Sequence, residues 1–311
     1  MFQGEWQLRL SVSVGLLLAL AWWLDPGEVM LRFAAMKTNW LVLGIAISVF
    51  QVFASAWRWS FTANRLGVNL PFTTACREYY LATFLNQVLP GGVMGDVSRA
   101  WRHARSQLEV ERIGTAVRAV VLERASGQLV MTMVAVVSVI RLLLTLERTG
   151  WLRLLGVVVV SGVAILGLIF WLWQKRVSDD SLARRAWRDT YAALLSIRAL
   201  PIQLVSSVLI VASYLLTYLV AARAVGVNTP LLILLPLIAP VLVTMLFPVT
   251  IAGWGIREGA AAVLWGAVGL TVVDGVAISV GYGFLVLFSS LPGGVILAIQ
   301  MWRKTRPVDE G

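Results

Sequence analysis

Three short stretches of this sequence bring charged side chains and backbone-freeing residues together inside apolar surroundings. The first runs from Arg77-Glu78-Tyr79-Tyr80 to Asn86 and on through Leu89-Pro90-Gly91-Gly92-Val93-Met94-Gly95-Asp96-Val97-Ser98-Arg99. On a helix, Arg77, Tyr80 and Phe84 fall at i, i+3 and i+7 and share a face. The Pro-Gly-Gly stretch ends that helix, and Asp96 or Ser98 is the expected N-cap of the next, which carries Arg99, Arg102, His103 and Arg105. Free amides in a glycine turn beside a helix start suit an anion, and Arg99 adds a full charge. The second stretch holds Arg118 and the pair Glu123-Arg124 at the entry to an apolar run. The third, Phe247 to Gly259, contains Pro248, Gly253, Gly255, Arg257, Glu258 and Gly259. Arg257 and Glu258 are the only charges between Arg223 and Asp274. A broken helix there would present amide donors and Arg257 to an anionic group, with Glu258 orienting the guanidinium or exchanging a proton. Each stretch also has a plainer alternative: a basic helix lying on anionic lipid, a snorkelling interfacial pair, and a structural Arg–Glu pair.

The elements that position these groups are membrane helices. The chain has 311 residues, 59% hydrophobic and 14% charged, with a mean hydropathy of +0.82. Soluble domains are nearer 45–50% apolar and about 25% charged. This composition excludes an ordinary soluble enzyme, a disordered chain and a disulfide scaffold. The formal charge of +10 would point to nucleic acid in a soluble protein. In a membrane protein it reads as topology, so no nucleic-acid partner is expected. One cysteine, Cys76, and one histidine, His103, build neither an intrachain disulfide nor a His-based metal cluster.

Uncharged runs long enough to be spans or parts of spans are Leu10 to Leu24, Asn39 to Trp57, Ala125 to Ile140, Leu154 to Trp173, Ile202 to Ala222, Ala224 to Ile256, Gly259 to Val273 and Gly275 to Trp302. A crossing takes about 20 residues. The run Tyr79 to Gly95 ends in proline and glycines and predicts a helix that enters the membrane and breaks. Ala224 to Ile256 is too long for one crossing and contains Pro230, Pro236, Pro240 and Pro248, each expected to bend or end a helix. With Gly259 to Val273 it predicts a discontinuous, re-entrant pair, tolerated only where protein or a polar cavity satisfies the backbone. The expected fold is therefore an all-α, polytopic helical bundle of about seven or eight membrane segments plus broken helices. A single domain is expected over residues 1–303, with a short tail at 304–311. Basic residues divide 18 to 5 between the two sets of connecting segments, which predicts both termini in the cytoplasm of a cell inner (plasma) membrane. Tryptophans 22, 23, 40, 57, 59, 151, 171, 173 and 302 flank apolar runs and read as interface anchors. Arg9 and the Ala19-Leu20-Ala21 triplet imitate a signal peptide, but Trp22 and Trp23 after it favour an uncleaved first helix.

Pro90 to Gly95 and Pro248 to Gly253 share the rhythm Pro-x4-Gly, each followed closely by charge. Two broken helices in corresponding halves are a common way to build a central substrate site. Together the three stretches resemble the lysylphosphatidylglycerol synthase transmembrane family, also described as flippase-like. The resemblance rests on Asn86-x-x-x-Pro90-Gly91-Gly92-x-x-Gly95-Asp96-x-x-Arg99, on Glu123-Arg124, and on Pro248 to Gly259 with its Gly-x-Gly-x-Arg-Glu-Gly ending. It implies translocation of a lipid, an aminoacylated phospholipid in the best-understood members. Other members are associated with isoprenoid-lipid glycosylation or hopanoid clusters. The bifunctional synthases add a soluble transferase domain, whereas this sequence holds the membrane half only, so synthase activity is not expected of it.

The leading expectation is a translocase for an anionic or phosphate-bearing lipid, phospholipid or isoprenoid. It would use no cofactor and no ATPase of its own, since no Walker A loop is present. The headgroup would pass Arg77, Arg99 and Arg102 and meet Arg257. Two alternatives stay open: a membrane enzyme acting on polyprenyl-phosphate or hopanoid lipids, and an accessory scaffold. Protein partners expected beside the bilayer are a second copy of the chain or a lipid-synthesis enzyme.

Overall fold

The computed structural model describes residues 2–23, 26–34, 36–89, 92–107, 110–145, 181–246 and 250–305. The described residues are helical, with no strand. Among the described residues eleven α-helices follow one another: α1 (Phe2–Trp23), α2 (Pro26–Ala34), α3 (Thr38–Arg65), α4 (Phe72–Val88), α5 (Met94–Arg105), α6 (Val110–Thr145), α7 (Ser181–Thr190), α8 (Leu200–Ala224), α9 (Leu231–Val243), α10 (Ile256–Ala267) and α11 (Val272–Thr305). A π-helical turn, Tyr191–Leu195, follows α7, and a 3-10 turn, Thr244–Leu246, follows α9.

Stretches of α3, α6, α8 and α11 are long and apolar enough to cross a bilayer. Leu10–Leu20 and Leu231–Leu246 are shorter apolar helices. The expected run Leu154 to Trp173, with Trp151, Trp171 and Trp173, lies outside the described residues. So do Pro90, Gly91 and Pro248.

Polarity is turned inside out. On α3, Val42, Leu43, Phe50, Phe53 and Trp57 are exposed, while Ser48, Gln51, Ser55, Arg58, Ser60 and Thr62 are buried. In water that arrangement would be unstable; in a bilayer the exposed face meets hydrocarbon and the polar face must find partners inside. It does so across α3 and α8: Gln51 Nε2 donates to Ser213 Oγ at 3.2 Å, and Gln203 Nε2 to Thr62 Oγ1 at 2.9 Å. Apolar surface gives little drive for association within lipid, so small residues that let helices approach matter more. A Cβ on Gly293 would collide with the Tyr80 carbonyl, and one on Gly294 would press on the Phe84 ring. That contact locks α4 against α11. Tyr80 and Phe84 thus share a packing face, whereas Arg77 on the same stripe points outward, its side chain 57% exposed.

Both expected breaks are present. α4 stops at Val88 and α5 starts at Met94; α9 ends at Val243 and α10 begins at Ile256. Pro236 and Pro240 nevertheless sit inside α9 without ending it. Two expectations need correction. α5 begins ahead of Asp96 and Ser98, so neither is its N-cap; Val93 occupies that place and offers no capping side chain. Trp59 is not an interface anchor: it is fully buried, because α3 continues to Arg65 and carries the ring into the bundle.

Candidate functional site

The first and second charged stretches meet in one buried network, joined by Arg58, which neither stretch contains. Glu123, in the first half of α6, is fully buried and accepts from two guanidiniums. Arg58 of α3 reaches its Oε1 at 2.7 Å, and Arg99 of α5 its Oε2 at 2.7 Å. Arg58 Nη1 also donates to Ser207 Oγ of α8 at 2.9 Å. Arg99 turns its Nε to Asp96 Oδ1 at 2.9 Å, and Arg124 Nη2 reaches Asp96 Oδ2 at 2.5 Å. The Arg99 guanidinium lies 4.6 Å from the Trp59 ring centroid and 4.4 Å from that of Tyr79. Cation–π contact of this kind lowers the cost of burying the charge.

Asn86 explains how the broken α4–α5 turn is held. Its Oδ1 accepts from Gly95 N–H at 2.7 Å, and its Nδ2 donates to Asp96 Oδ2 at 3.0 Å. A side chain from the end of α4 therefore does the work that a local N-cap would do for α5. Gly95 is required because α5 passes so close to α4 that a Cβ would strike the Ala82 carbonyl.

Arg58, Arg99 and Arg124 are paired with two carboxylates, Asp96 and Glu123, leaving one positive charge in excess. Among the described residues, Arg99 Nη1 and Arg124 Nε are buried donors with no acceptor. Charge of that kind is costly to bury in a membrane protein and marks an ion or substrate pathway. Beside it lies a cavity of about 190 Å³. Arg58, Arg124, Tyr79, Asn86 and Gly92 form part of its wall, as do Met245, Tyr282 and Val286.

The third stretch builds a separate buried pair. Arg257 Nη2 donates to Glu258 Oε1 at 2.6 Å, and its Nε to Ser279 Oγ of α11 at 2.9 Å. Glu258 Oε2 accepts from Gly255 N–H at 2.7 Å, which closes the first turn of α10. The preceding loop is left-handed at Ala252 (φ 51°), Gly253 (φ 78°) and Gly255 (φ 90°). Strain at Ala252, a non-glycine in that region, persists only where surroundings over-determine it. Arg257 is 5.2 Å from the Tyr282 ring centroid, and Tyr282 is part of the cavity wall. The pair thus stands one residue behind the cavity and carries no net charge. Gly259 has open space around it.

Of the other expected residues, Arg118 lies away from the cavity wall. Its Nε donates to Asp189 Oδ2 of α7 at 2.5 Å and its Nη2 to Thr115 Oγ1 at 2.9 Å. Arg77 pairs with Glu78 at 3.2 Å, which also holds Arg102. Arg58, Ser207, Ser279 and Tyr282 were not legible as site residues. Arg58 follows Trp57 at the end of an apolar run, where a basic residue reads as a loop charge. Only the continuation of α3 for another two turns puts it inside.

These three stretches are distributed over a region that a family model covers from residue 6 to 293, that of the lysylphosphatidylglycerol synthase TM region. The chain belongs to that family. Membership makes it a membrane protein of lipid metabolism or translocation, and the family's region is the membrane half, distinct from the catalytic one. No curated protein and no solved structure matches the chain.

Proposed function

We propose that the protein is a translocase that carries an anionic or phosphate-bearing lipid between the leaflets of a bacterial inner membrane, without an ATPase of its own. The observation that carries this reading is the cavity beside a buried network with one surplus positive charge. A headgroup phosphate is the group that would offset that surplus, since guanidiniums and oxyanions form strong charge-assisted hydrogen bonds. At about 190 Å³ the space is below the roughly 300–1,000 Å³ of sites holding a whole drug-sized ligand. It suits a headgroup whose tails stay in lipid. Arg124, a charged residue on the wall, has an unengaged donor, Nε, and is assigned the phosphate. Arg99, behind it, keeps Asp96 and Glu123 in place.

The test is lipid crossing in vesicles reconstituted with purified protein and a labelled anionic phospholipid. Crossing should exceed that of protein-free vesicles, and Arg124→Ala should abolish the excess while the protein still inserts. Equal rates with and without protein would refute the translocase; unchanged crossing by Arg124→Ala would remove that residue from the mechanism.

A further inference from the structure

The charge on the cavity wall is of one sign. Arg58 and Arg124 are its charged side chains, and no aspartate or glutamate lines it among the described residues. Asp96 and Glu123 stand a layer behind, each already engaged by two guanidiniums. The rest of the polar lining is neutral, including the carboxamides of Gln51, Asn86, Gln87 and Gln128. Gln51 and Asn86 are engaged with Ser213 and with Gly95 and Asp96. Gln87 and Gln128 make no side-chain hydrogen bond among the described residues. Gln128 lies one helical turn beyond Arg124, on the same face of α6.

We infer that the cavity selects a headgroup that is anionic and bears neutral hydroxyls, and that it rejects a headgroup carrying an ammonium. The inference deepens the translocase reading and rests on it for its transport consequence only. A phosphate between Arg58 and Arg124 offsets the surplus charge, while Gln87 and Gln128 can both donate to and accept from hydroxyls. An ammonium would find no carboxylate on the wall and would add its charge to a network that already carries one positive charge in surplus, a juxtaposition of like charges. Specificity here comes as much from that repulsion as from the attraction between guanidinium and phosphate. The aminoacylated lipids implied by the family resemblance would therefore be poor ligands for this chain.

The experiment is equilibrium binding by native mass spectrometry to full-length protein in mild detergent, with short-chain probes. Phosphatidylglycerol supplies anion and hydroxyls, phosphatidylmethanol the anion alone, phosphatidylethanolamine a zwitterion, and lysylphosphatidylglycerol a net cation. Phosphatidylglycerol should bind at least about tenfold tighter than the two ammonium lipids, the scale of one unfavourable charge contact. Phosphatidylmethanol should fall between them. Equal or tighter binding of either ammonium lipid overturns the inference, as does binding of none of the four; phosphatidylmethanol matching phosphatidylglycerol overturns its hydroxyl part. Free glycerophosphate should not displace bound lipid at equal concentration; if it does, the site is one for a soluble phosphate. Gln128→Glu places a carboxylate on the wall and should erode the preference about tenfold, with Gln87→Glu as the second variant. Unchanged preference in both removes this cavity as the selecting site. Selective binding with no crossing in vesicles would sink the translocase alone and leave this inference standing.

Discussion

Glu123→Gln tests the buried network at the point where it is most heavily connected. The wild-type group holds three guanidiniums against two carboxylates; the variant holds three against one. Arg58 and Arg99 each lose an ion pair of 2.7 Å, at a residue whose side chain is wholly buried. At an effective dielectric of about 20, unit charges about 4 Å apart interact by about 4 kcal/mol, so the two pairs together are worth about 8 kcal/mol gross. Relaxation and the retained amide hydrogen bonds reduce this, and removing one partner of a buried pair costs about 3–5 kcal/mol net in measured cases. We expect a loss in that range, measured by equilibrium unfolding in mixed detergent micelles. A second variant separates charge from packing. Glu123→Gln combined with Arg58→Gln brings the group back to a surplus of one, and the pair should cost at least about 1 kcal/mol less than the sum of the single changes. A Glu123→Gln loss below about 1 kcal/mol, the effect of an ordinary substitution, would refute the network, and strict additivity would show that Arg58 and Glu123 do not depend on each other.

Further outcomes follow from the same geometry. Asn86→Ala removes the acceptor for Gly95 N–H and should cost about 1–2 kcal/mol, as cap losses do; Asn86→Asp keeps the acceptor but sets a second anion against Asp96 and should be no better, by the same unfolding measurement. Gly293→Ala pushes a methyl into the Tyr80 carbonyl, and separation of α4 from α11 should lower stability by about 1–3 kcal/mol, read as an earlier unfolding midpoint. Arg118→Ala breaks a partly exposed pair with Asp189 and a hydrogen bond to Thr115, so it should cost about 1 kcal/mol or less and leave lipid crossing at the wild-type rate. Arg257→Ala leaves Glu258 buried with Ser279 and Gly255 as its remaining donors; a loss of about 3–5 kcal/mol is expected, and a smaller one for Glu258→Gln/Arg257→Leu.

Much of the architecture is legible from local properties of the chain. Hydropathy alone dictates helices in a bilayer, because a peptide unit in hydrocarbon must bond within its own segment. Gly92, Gly253 and Gly255 mark where helices stop, because each acts through its own backbone conformation. The cost of burying Arg99, Glu123, Arg124, Arg257 or Glu258 is likewise a property of the single residue, so these stood out as candidates. The adjacent pair Arg257–Glu258 could be read as a pair because both members lie in one turn.

What each charge is paired with was decided by the tertiary structure. Arg58 and Glu123 are separated by 65 residues along the chain, and Arg99 and Glu123 by 24. Helical spacing identifies neighbours three or four residues apart and is silent on any other helix. For the same reason Arg58 read as a loop charge and Trp59 as an anchor. Their burial depends on how far α3 extends and on which faces α3, α5, α6 and α7 turn to one another. The surplus positive charge is a sum over three elements, α3, α5 and α6, and the cavity a space between helices. Neither belongs to any one stretch of sequence, and both exist only once the helices have packed.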